Sequence, residues 1–303
     1  MSMLALLAPE FGLIALGALL RRLFQHNEGG WILLEKLGYY LLFPCLLFVS
    51  IVRAQDAVRA VLPMILATGL AAGLGICIGY ACRRIPHADP KRAASGAQTA
   101  FRFNSYLGMA ITERLGGAEG LALFSVMIAV LIPLLNVAAV WPMARQTERG
   151  LARELTRNPL IIATLGGLLW RSLQLPIPEL ILAPASRIGL AALPLGLLCI
   201  GAALQWPQGH NAFAQSDRWL AACFTGIKLL LLPAAGVAAC HVLGLGGLSA
   251  LIVVLQTALP TSPASYVLAA RMGGDGAFVA QLITLSLAAS LFTLPLWIGW
   301  APP

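Results

Sequence analysis

The sequence predicts an all-α polytopic membrane protein of ten transmembrane helices, arranged as a 5+5 inverted repeat with broken, crossing helices 4 and 9. Three observations predict this fold class. The chain is strongly apolar along its whole length, its two halves resemble one another, and two of its apolar stretches carry helix-breaking or polar residues at mid-membrane depth.

The composition excludes an ordinary soluble domain. Of the 303 residues, 59% are hydrophobic and 11% are charged, and the mean hydropathy is +0.84, whereas a soluble domain carries about 25% charged residues. Apolar stretches long enough to cross a hydrocarbon core of ~30 Å recur throughout. The predicted spans are residues 4–23, 32–52, 59–82, 93–113, 120–143, 156–172, 181–204, 217–242, 247–270 and 277–299.

The basic residues predict the orientation of these spans. The net charge of +8 would suggest a nucleic-acid partner in a soluble protein, but here the Lys and Arg residues lie in short loops. Loops after odd-numbered spans carry thirteen of them, and loops after even-numbered spans carry five. The positive-inside rule therefore places both termini outside the cytoplasm and the loop 144–155 inside it. We predict a multi-pass protein of a bacterial inner (plasma) membrane with no nucleic-acid partner.

The two halves of the chain repeat a pattern. Pro9–Arg21 matches Pro159–Arg171 at an offset of 150 residues, and the Gln-Thr-Ala triplet at 98–100 recurs in the same order at 256–258. Each half holds five spans, an odd number, so the second half must enter the membrane from the opposite side. Inverted repeats of this kind are typical of carriers that work by alternating access. The predicted repeats are residues 1–150 and 151–303.

Spans four and nine carry the strongest signals for a site. In span nine, Pro260 and Pro263 each remove an amide donor and disfavour a continuous helix. The matching part of span four has no proline but carries the polar pair Asn104 and Ser105. Non-helical backbone at this depth survives when it is buried or lines a cavity, and the amino ends of half-helices favour anions. The alternatives are a simple proline kink in span nine and a purely structural interhelical hydrogen bond from Asn104 or Ser105.

Two cations are predicted deep in the bilayer. Arg102 and Lys228 each lie about ten residues into a span, roughly 15 Å deep at about 1.5 Å per residue. A cation there costs at least ~2.5 kcal/mol unless it faces a cavity or a partner. No carboxylate is predicted at that depth; Glu10 and Glu113 come closest to being buried. We therefore expect the two cations to attract a diffusible anion. The alternative is that each snorkels or binds backbone carbonyls.

Three amide side chains in the spans also need partners. Asn136 lies in the middle of span five, where it either contacts a substrate or braces the break in span four. Gln98 and Gln256 precede the two breaks at equivalent places, and we interpret them as bracing residues.

Three segments resemble a known family. FRFNSYLGMAI (101–111), LPTSPASYVLAARMGGD (259–275), and the opening PEFGLIALGALLRR with the following LLFPCLLF resemble the auxin efflux carrier family of bacterial permeases, within the bile acid, arsenite and riboflavin transporter group. The resemblance implies a scaffold from spans 1, 2, 6 and 7, often a homodimer contact, and a moving transport domain from spans 3–5 and 8–10. It also implies an elevator-like motion, carboxylate substrates, and a crossover at Asn104-Ser105 and Pro260 to Pro263, with Asn136 at the polar position of span five.

These observations predict a secondary active transporter of a small organic anion of the carboxylate type. A sodium-coupled symporter of the bile-acid type is the alternative, and Na⁺ or H⁺ coupling stays open. An enzyme would need a nucleophile with its base, a metal cluster or paired carboxylates, and none is evident, so we expect no catalytic residue, metal or cofactor. The partners expected are the anion and the lipid bilayer. The candidate substrate-binding residues are Asn104, Ser105, Arg102, Asn136, Lys228, Thr261 and Ser262, with Pro260 and Pro263 as helix-breaking residues.

Overall fold

The computed structural model describes residues 3–24, 28–53, 57–86, 88–140, 159–174, 176–204 and 215–303, and those residues form helices and turns with no β-strand. The loop predicted at 144–155 lies outside the described residues. In the described part, the α-helices are numbered in chain order: α1 (Met3–Leu23), α2 (Glu28–Leu37), α3 (Phe43–Arg53), α4 (Ala57–Ala81), α5 (Pro90–Gly96), α6 (Ser105–Val140), α7 (Pro159–Ser172), α8 (Glu179–Leu190), α9 (Ala192–Ala202), α10 (Gln215–Gly226), α11 (Leu232–Leu243), α12 (Gly247–Ala258), α13 (Ala264–Arg271) and α14 (Gly276–Gly299).

Within the described residues, six helical stretches are long and apolar enough to cross a membrane. Large apolar side chains on them face outward; Leu180 is 86% exposed and Phe292 is 68% exposed. A soluble surface rarely carries so much exposed apolar area, whereas lipid covers it without cost. The chain is therefore an all-α polytopic membrane protein, and the ten-helix 5+5 repeat stays a prediction. The six stretches are Gly29–Arg53, Val61–Arg84, Pro90–Ala139, Glu179–Ala202, Asp217–Leu243 and Gly276–Gly299, of which Pro90–Ala139 includes the non-helical residues 101–104 and the kink at Gly117.

The chain divides into two compact units, and each draws on both halves of the sequence. The first unit comprises Met1–Leu62, Tyr106–Leu131 and Arg149–Ala203. The second unit comprises Pro63–Ser105, Ile132–Glu148 and Leu204–Pro303.

In the first unit, α1 packs against α9 at glycine contacts. A Cβ on Gly201 would overlap the carbonyl oxygen of Ile14, and a Cβ on Gly17 would overlap the backbone of Leu198. Small residues let helix backbones approach closely in a membrane, where packing rather than hydrophobic exclusion drives helix association. The two glycines therefore hold α1 and α9 together.

Two predicted spans of the first unit, 32–52 and 181–204, are irregular rather than continuous. A π-helical turn, Gly38–Leu42, precedes Pro44, and a turn at Ala191 separates α8 from α9 just before Pro194. A proline has no amide hydrogen for the carbonyl four residues earlier, and its ring crowds that turn. Both irregularities lie directly before a proline, so the prolines explain them.

In the second unit, aromatic side chains fill the space beside α5. Phe224 of α10 and Phe278 of α14 are buried in one apolar cluster with Ala97 and Leu282. A Cβ on Gly96 would meet both aromatic rings within 3.0 Å. The small residues of this segment thus allow α10 and α14 to close over it.

Helix α6 covers the end of predicted span four and most of span five. It contains one non-helical residue, Gly117, with φ 58° and ψ −152°. Glycine adopts positive φ without the steric cost that a Cβ imposes. The boundary predicted between 113 and 120 is therefore a single glycine rather than a loop.

Candidate functional site: two interrupted helices

The first interruption follows α5. Asp89 starts this helix by accepting hydrogen bonds from the amides of Lys91 and Arg92, with a proline in the first helical turn. The helix tightens into a 3₁₀ turn at Ala97–Ala100 and stops at Phe101, which has φ −129°. Residues 101–104 are not helical, and α6 begins at Ser105.

The second interruption lies between α12 and α13. Leu259 has φ −55° and ψ 145°, the extended conformation favoured before a proline, here Pro260. The hydroxyl oxygen of Ser262 accepts a hydrogen bond from the amide of Ala264 (3.3 Å) and so caps α13. The last helical bond before the break runs from the amide of Leu259 to the carbonyl oxygen of Leu255 (3.0 Å), and residues 260–263 are not helical.

Hydrogen bonds join the two interruptions, which we call the crossover (residues 101–104 and 259–263). The amide of Asn104 donates to the carbonyl oxygen of Pro260 (2.9 Å). The hydroxyl of Thr261 donates to the carbonyl oxygen of Thr99 (2.8 Å). Each broken segment thus satisfies backbone groups that the other leaves without a helical partner. This pairing explains how the first helix stops without a proline.

Arg102 extends from the first broken segment and is half-buried. Its guanidinium donates to the side-chain oxygens of Gln98 and Asn136, both at 3.0 Å. Arg102 is therefore held by side-chain amides, a kind of partner that was not predicted from the sequence, and its attraction for an anion stays a prediction. Both partners are neutral amides, however, and no ion pair to Arg102 is formed within the described residues. The positive charge is held in place without being neutralised.

Two amide side chains brace the crossover. Asn136 of α6 accepts a hydrogen bond from the guanidinium of Arg102, which is the bracing contact, and its contact with substrate stays a prediction. Gln98 also donates to the carbonyl oxygens of Ser95 and Ser265, each at 3.2 Å. Gln98 therefore links α5 to the start of α13, as its position before the break suggested.

Lys228 lies away from solvent and lipid. Its side chain is 0% exposed, and its ammonium donates to the carbonyl oxygen of Thr257 (3.0 Å). Of the two outcomes left open for this residue, the structure thus shows the bond to a backbone carbonyl. A contribution of Lys228 to substrate binding stays a prediction.

The remaining predicted site residues differ in accessibility. Ser105 and Ser262 are half-buried, whereas Asn104 and Thr261 are each 2% exposed. The Thr261 hydroxyl donates across the crossover, and its amide donates to the hydroxyl oxygen of Ser286 (3.2 Å). Thr261 is therefore a structural link between the two broken segments, while the side chains of Ser105 and Ser262 stay partly accessible.

Sequence reasoning did not identify two groups of this site. The Thr99 carbonyl completes the crossover, but a backbone group leaves no signal in the sequence. Ser286 supports Thr261 from α14 and also donates to the carbonyl of Ile283. A serine within an otherwise apolar span was the available signal, and it is a weak one because such hydroxyls usually bond within their own helix.

A second polar cluster ties three helices of the same unit together. The guanidinium of Arg92 binds Asp217 and, at 2.9 Å, Asp275. Burial alone would raise the pKa of Asp275, but the hydrogen bond from the Phe278 amide and the Arg92 guanidinium hold that pKa below its ordinary value of 3.8. The cluster fixes the starts of α5 and α14, so it positions the helices that lead into the crossover.

The apolar helices and their bonded interruptions define a polytopic membrane protein of the transporter class. A family model described as "Membrane transport protein" matches residues 142–298. The chain belongs to this family, the auxin efflux carrier-type permeases that its sequence resembles. It is also 27% identical over 297 residues to a protein from Methanothermobacter thermautotrophicus (strain Delta H) described as "Uncharacterized transporter", with 94% of each chain covered.

Proposed function

We propose that this chain is a secondary active transporter of a small organic anion of the carboxylate type, and that the crossover is its substrate site. The observation that carries the proposal is the uncompensated positive charge of Arg102. Its guanidinium is held by two neutral side-chain amides, and no carboxylate pairs with it among the described residues. A half-buried guanidinium in this state favours a carboxylate, which it binds through two parallel hydrogen bonds.

The start of α6 supplies further donors. This helix begins at Ser105, immediately after the first broken segment, and the first amides of a helix lack an acceptor within that helix and carry partial positive charge. The start of α13 is already capped, because the amides of Ala264 and Ser265 donate to Ser262. Ser105 and Ser262 would add hydroxyl donors, with Asn104 and Asn136 as neighbouring amides and Lys228 contributing positive potential from behind. The substrate that fits these groups is small, anionic and rich in acceptor oxygens.

Transport would follow an elevator-like alternating-access cycle. In this proposal spans 1, 2, 6 and 7 form a scaffold, with a possible homodimer contact, and spans 3–5 and 8–10 carry the substrate. The crossover supports such a cycle because its two halves are bonded to one another and would move as one piece. Location in a bacterial inner membrane, with both termini outside, completes the proposal; reporter fusions at each terminus test the orientation.

Counterflow in proteoliposomes tests the function. Vesicles loaded with one unlabelled compound are diluted into the labelled compound, using dicarboxylates, monocarboxylates, indole acids and a neutral amino acid in turn. We expect saturable exchange of at least one carboxylate and none of the neutral compound. Parallel runs with Na⁺ and with choline separate this carrier from the sodium-coupled symporter, and exchange that never saturates indicates a channel.

Variants of Arg102 test the observation that carries the proposal. Arg102→Lys keeps the charge but loses the paired donors, whereas Arg102→Gln loses both. Removing a charge-assisted hydrogen bond costs about 1.5–3 kcal/mol, or roughly 10–150-fold in affinity for the anion. We expect the order wild type, Lys, Gln in anion affinity. Unchanged anion affinity in both variants would remove Arg102 from the site.

A further inference from the structure

Lys228 lies on an irregular turn that fixes its backbone. The chain forms a π-helical turn at Ile227–Leu231, immediately before α11. Pro233 cannot donate to the carbonyl of Leu229, and the indole of Trp297 donates to that oxygen instead (2.8 Å). A proline follows this π turn, as one follows the turn at Gly38–Leu42, and single π turns are also frequent at functional sites. The turn and the Trp297 bond therefore hold Lys228 in one place.

The ammonium of Lys228 meets the negative end of a half-helix. Its partner is the carbonyl of Thr257, one residue before α12 ends at Ala258. The last carbonyls of a helix have no backbone donor and carry partial negative charge. The adjacent residue, Gln256, has a buried amide oxygen that lacks a hydrogen-bond partner in the described part of the chain. The last carbonyls give this end of α12 a partial negative charge, which favours a monovalent cation.

We propose that the carboxyl end of α12 is a monovalent-cation position whose permanent occupant is the Lys228 ammonium, so that this carrier works without Na⁺. Carbonyl groups at interrupted helices are the ligands that bind coupling cations in carriers with broken helices. An ammonium carries the same single charge as Na⁺ and binds the same oxygens, but it is tethered and cannot leave. The independence from Na⁺ rests on the proposed transport function, whereas the occupation of the cation position by Lys228 does not.

The proposal explains why a fully buried lysine has no carboxylate partner among the described residues. The partial charge of the helix end and the Thr257 carbonyl compensate the ammonium in place of a side-chain anion. A lysine that served only to attract substrate would gain nothing from pointing into that helix end. The two roles therefore predict different responses when the charge is removed.

Lys228→Ala opens the position to a soluble ion. Its thermal unfolding is measured in detergent as a fluorescent fusion, in 150 mM NaCl and in 150 mM choline chloride. We expect the variant to unfold earlier than wild type in choline and to recover in Na⁺. At ten times its Kd, Na⁺ raises the folded-to-unfolded ratio about tenfold, which corresponds to roughly 3–5 °C in apparent Tm.

Two matched variants and the wild type complete the test. Lys228→Met fills the space without charge, so Na⁺ should not stabilise it. Leu232→Ala removes a comparable volume at a site that is 2% exposed, and it too should show no difference between salts. Wild type should unfold at the same temperature in both salts, because its position is filled.

Three results would overturn the proposal. The first is a Na⁺-specific rise in the Tm of wild type, and the second is an equal Tm of Lys228→Ala in the two salts. The third is a Lys228→Ala variant that is unfolded in both salts, because Na⁺ present during expression should have filled the position. None of these measurements uses a substrate. If wild type exchanges no anion, the transport proposal fails while the ion result stands.

Discussion

Replacing Thr261 by Val tests whether the two broken segments hold one another in place. Valine matches threonine closely in size, so the change removes the hydroxyl that donates to the Thr99 carbonyl (2.8 Å) and leaves little cavity. Thr99 is 2% exposed, and its carbonyl lies in the last turn before the break. A buried acceptor left without its donor costs about 1–3 kcal/mol. At roughly 2–4 °C per kcal/mol, we expect a fall of several degrees in apparent Tm.

The control is Thr68→Val in α4. Thr68 is 0% exposed, and its hydroxyl donates to the Met64 carbonyl (2.7 Å) four residues earlier in the same helix. That carbonyl keeps a backbone donor when the hydroxyl is lost, so we expect a shift of less than about 1 kcal/mol. Both variants are compared with wild type by thermal unfolding in detergent. Equal shifts for the two would refute the idea that the cross-segment bond supports the interruption.

Two further predictions concern the parts that hold the site. Gly201→Ala should lower the free energy of unfolding by about 1–3 kcal/mol, because the new Cβ overlaps the Ile14 carbonyl. Gly12→Ala on α1 has open space around it and should be neutral or stabilising. Equal unfolding temperatures for the two variants would contradict the close approach of α1 and α9. Asp275 has a lowered pKa in the folded protein, so its contribution is present at neutral pH and is lost as the pH falls below about 4. Asp275→Asn should therefore unfold at a lower temperature than wild type at pH 7, and its Tm should fall less steeply as the pH is lowered. Parallel curves of Tm against pH for the two proteins would contradict this role of Asp275.

The sequence predicted the places of both interruptions, for different reasons. Pro260 and Pro263 act locally, because a missing amide and a ring clash break a helix in any surroundings. Asn104 and Ser105 were only a polar signal, and the structure shows that the break there is bonded to a segment more than 150 residues away, which supplies the Thr261 hydroxyl as a donor and the Pro260 carbonyl as an acceptor. Long-range pairing of that kind is not encoded in local residue preference.

Buried charge was predicted less well than helix position. Arg102 and Lys228 were found by depth, but their partners are two side-chain amide oxygens and a backbone carbonyl respectively, which carry no charge signal. Glu10 is 6% exposed and is paired with Arg114 (3.2 Å), so a carboxylate that came close to burial is indeed buried. Sequence spacing places a charge along a helix axis, while its partner depends on which neighbouring helix faces it.

Carboxylate counterflow by Asn104→Ala tests the central claim most directly, because the change removes a side-chain amide from the crossover while the backbone amide keeps its bond to the carbonyl of Pro260. The variant and Thr68→Val are reconstituted at equal density after their unfolding temperatures have been recorded, and each is assayed with the carboxylate that wild type exchanges. We predict that Asn104→Ala folds but loses exchange, while Thr68→Val exchanges at the wild-type rate. Wild-type exchange by folded Asn104→Ala would show that the anion is bound elsewhere.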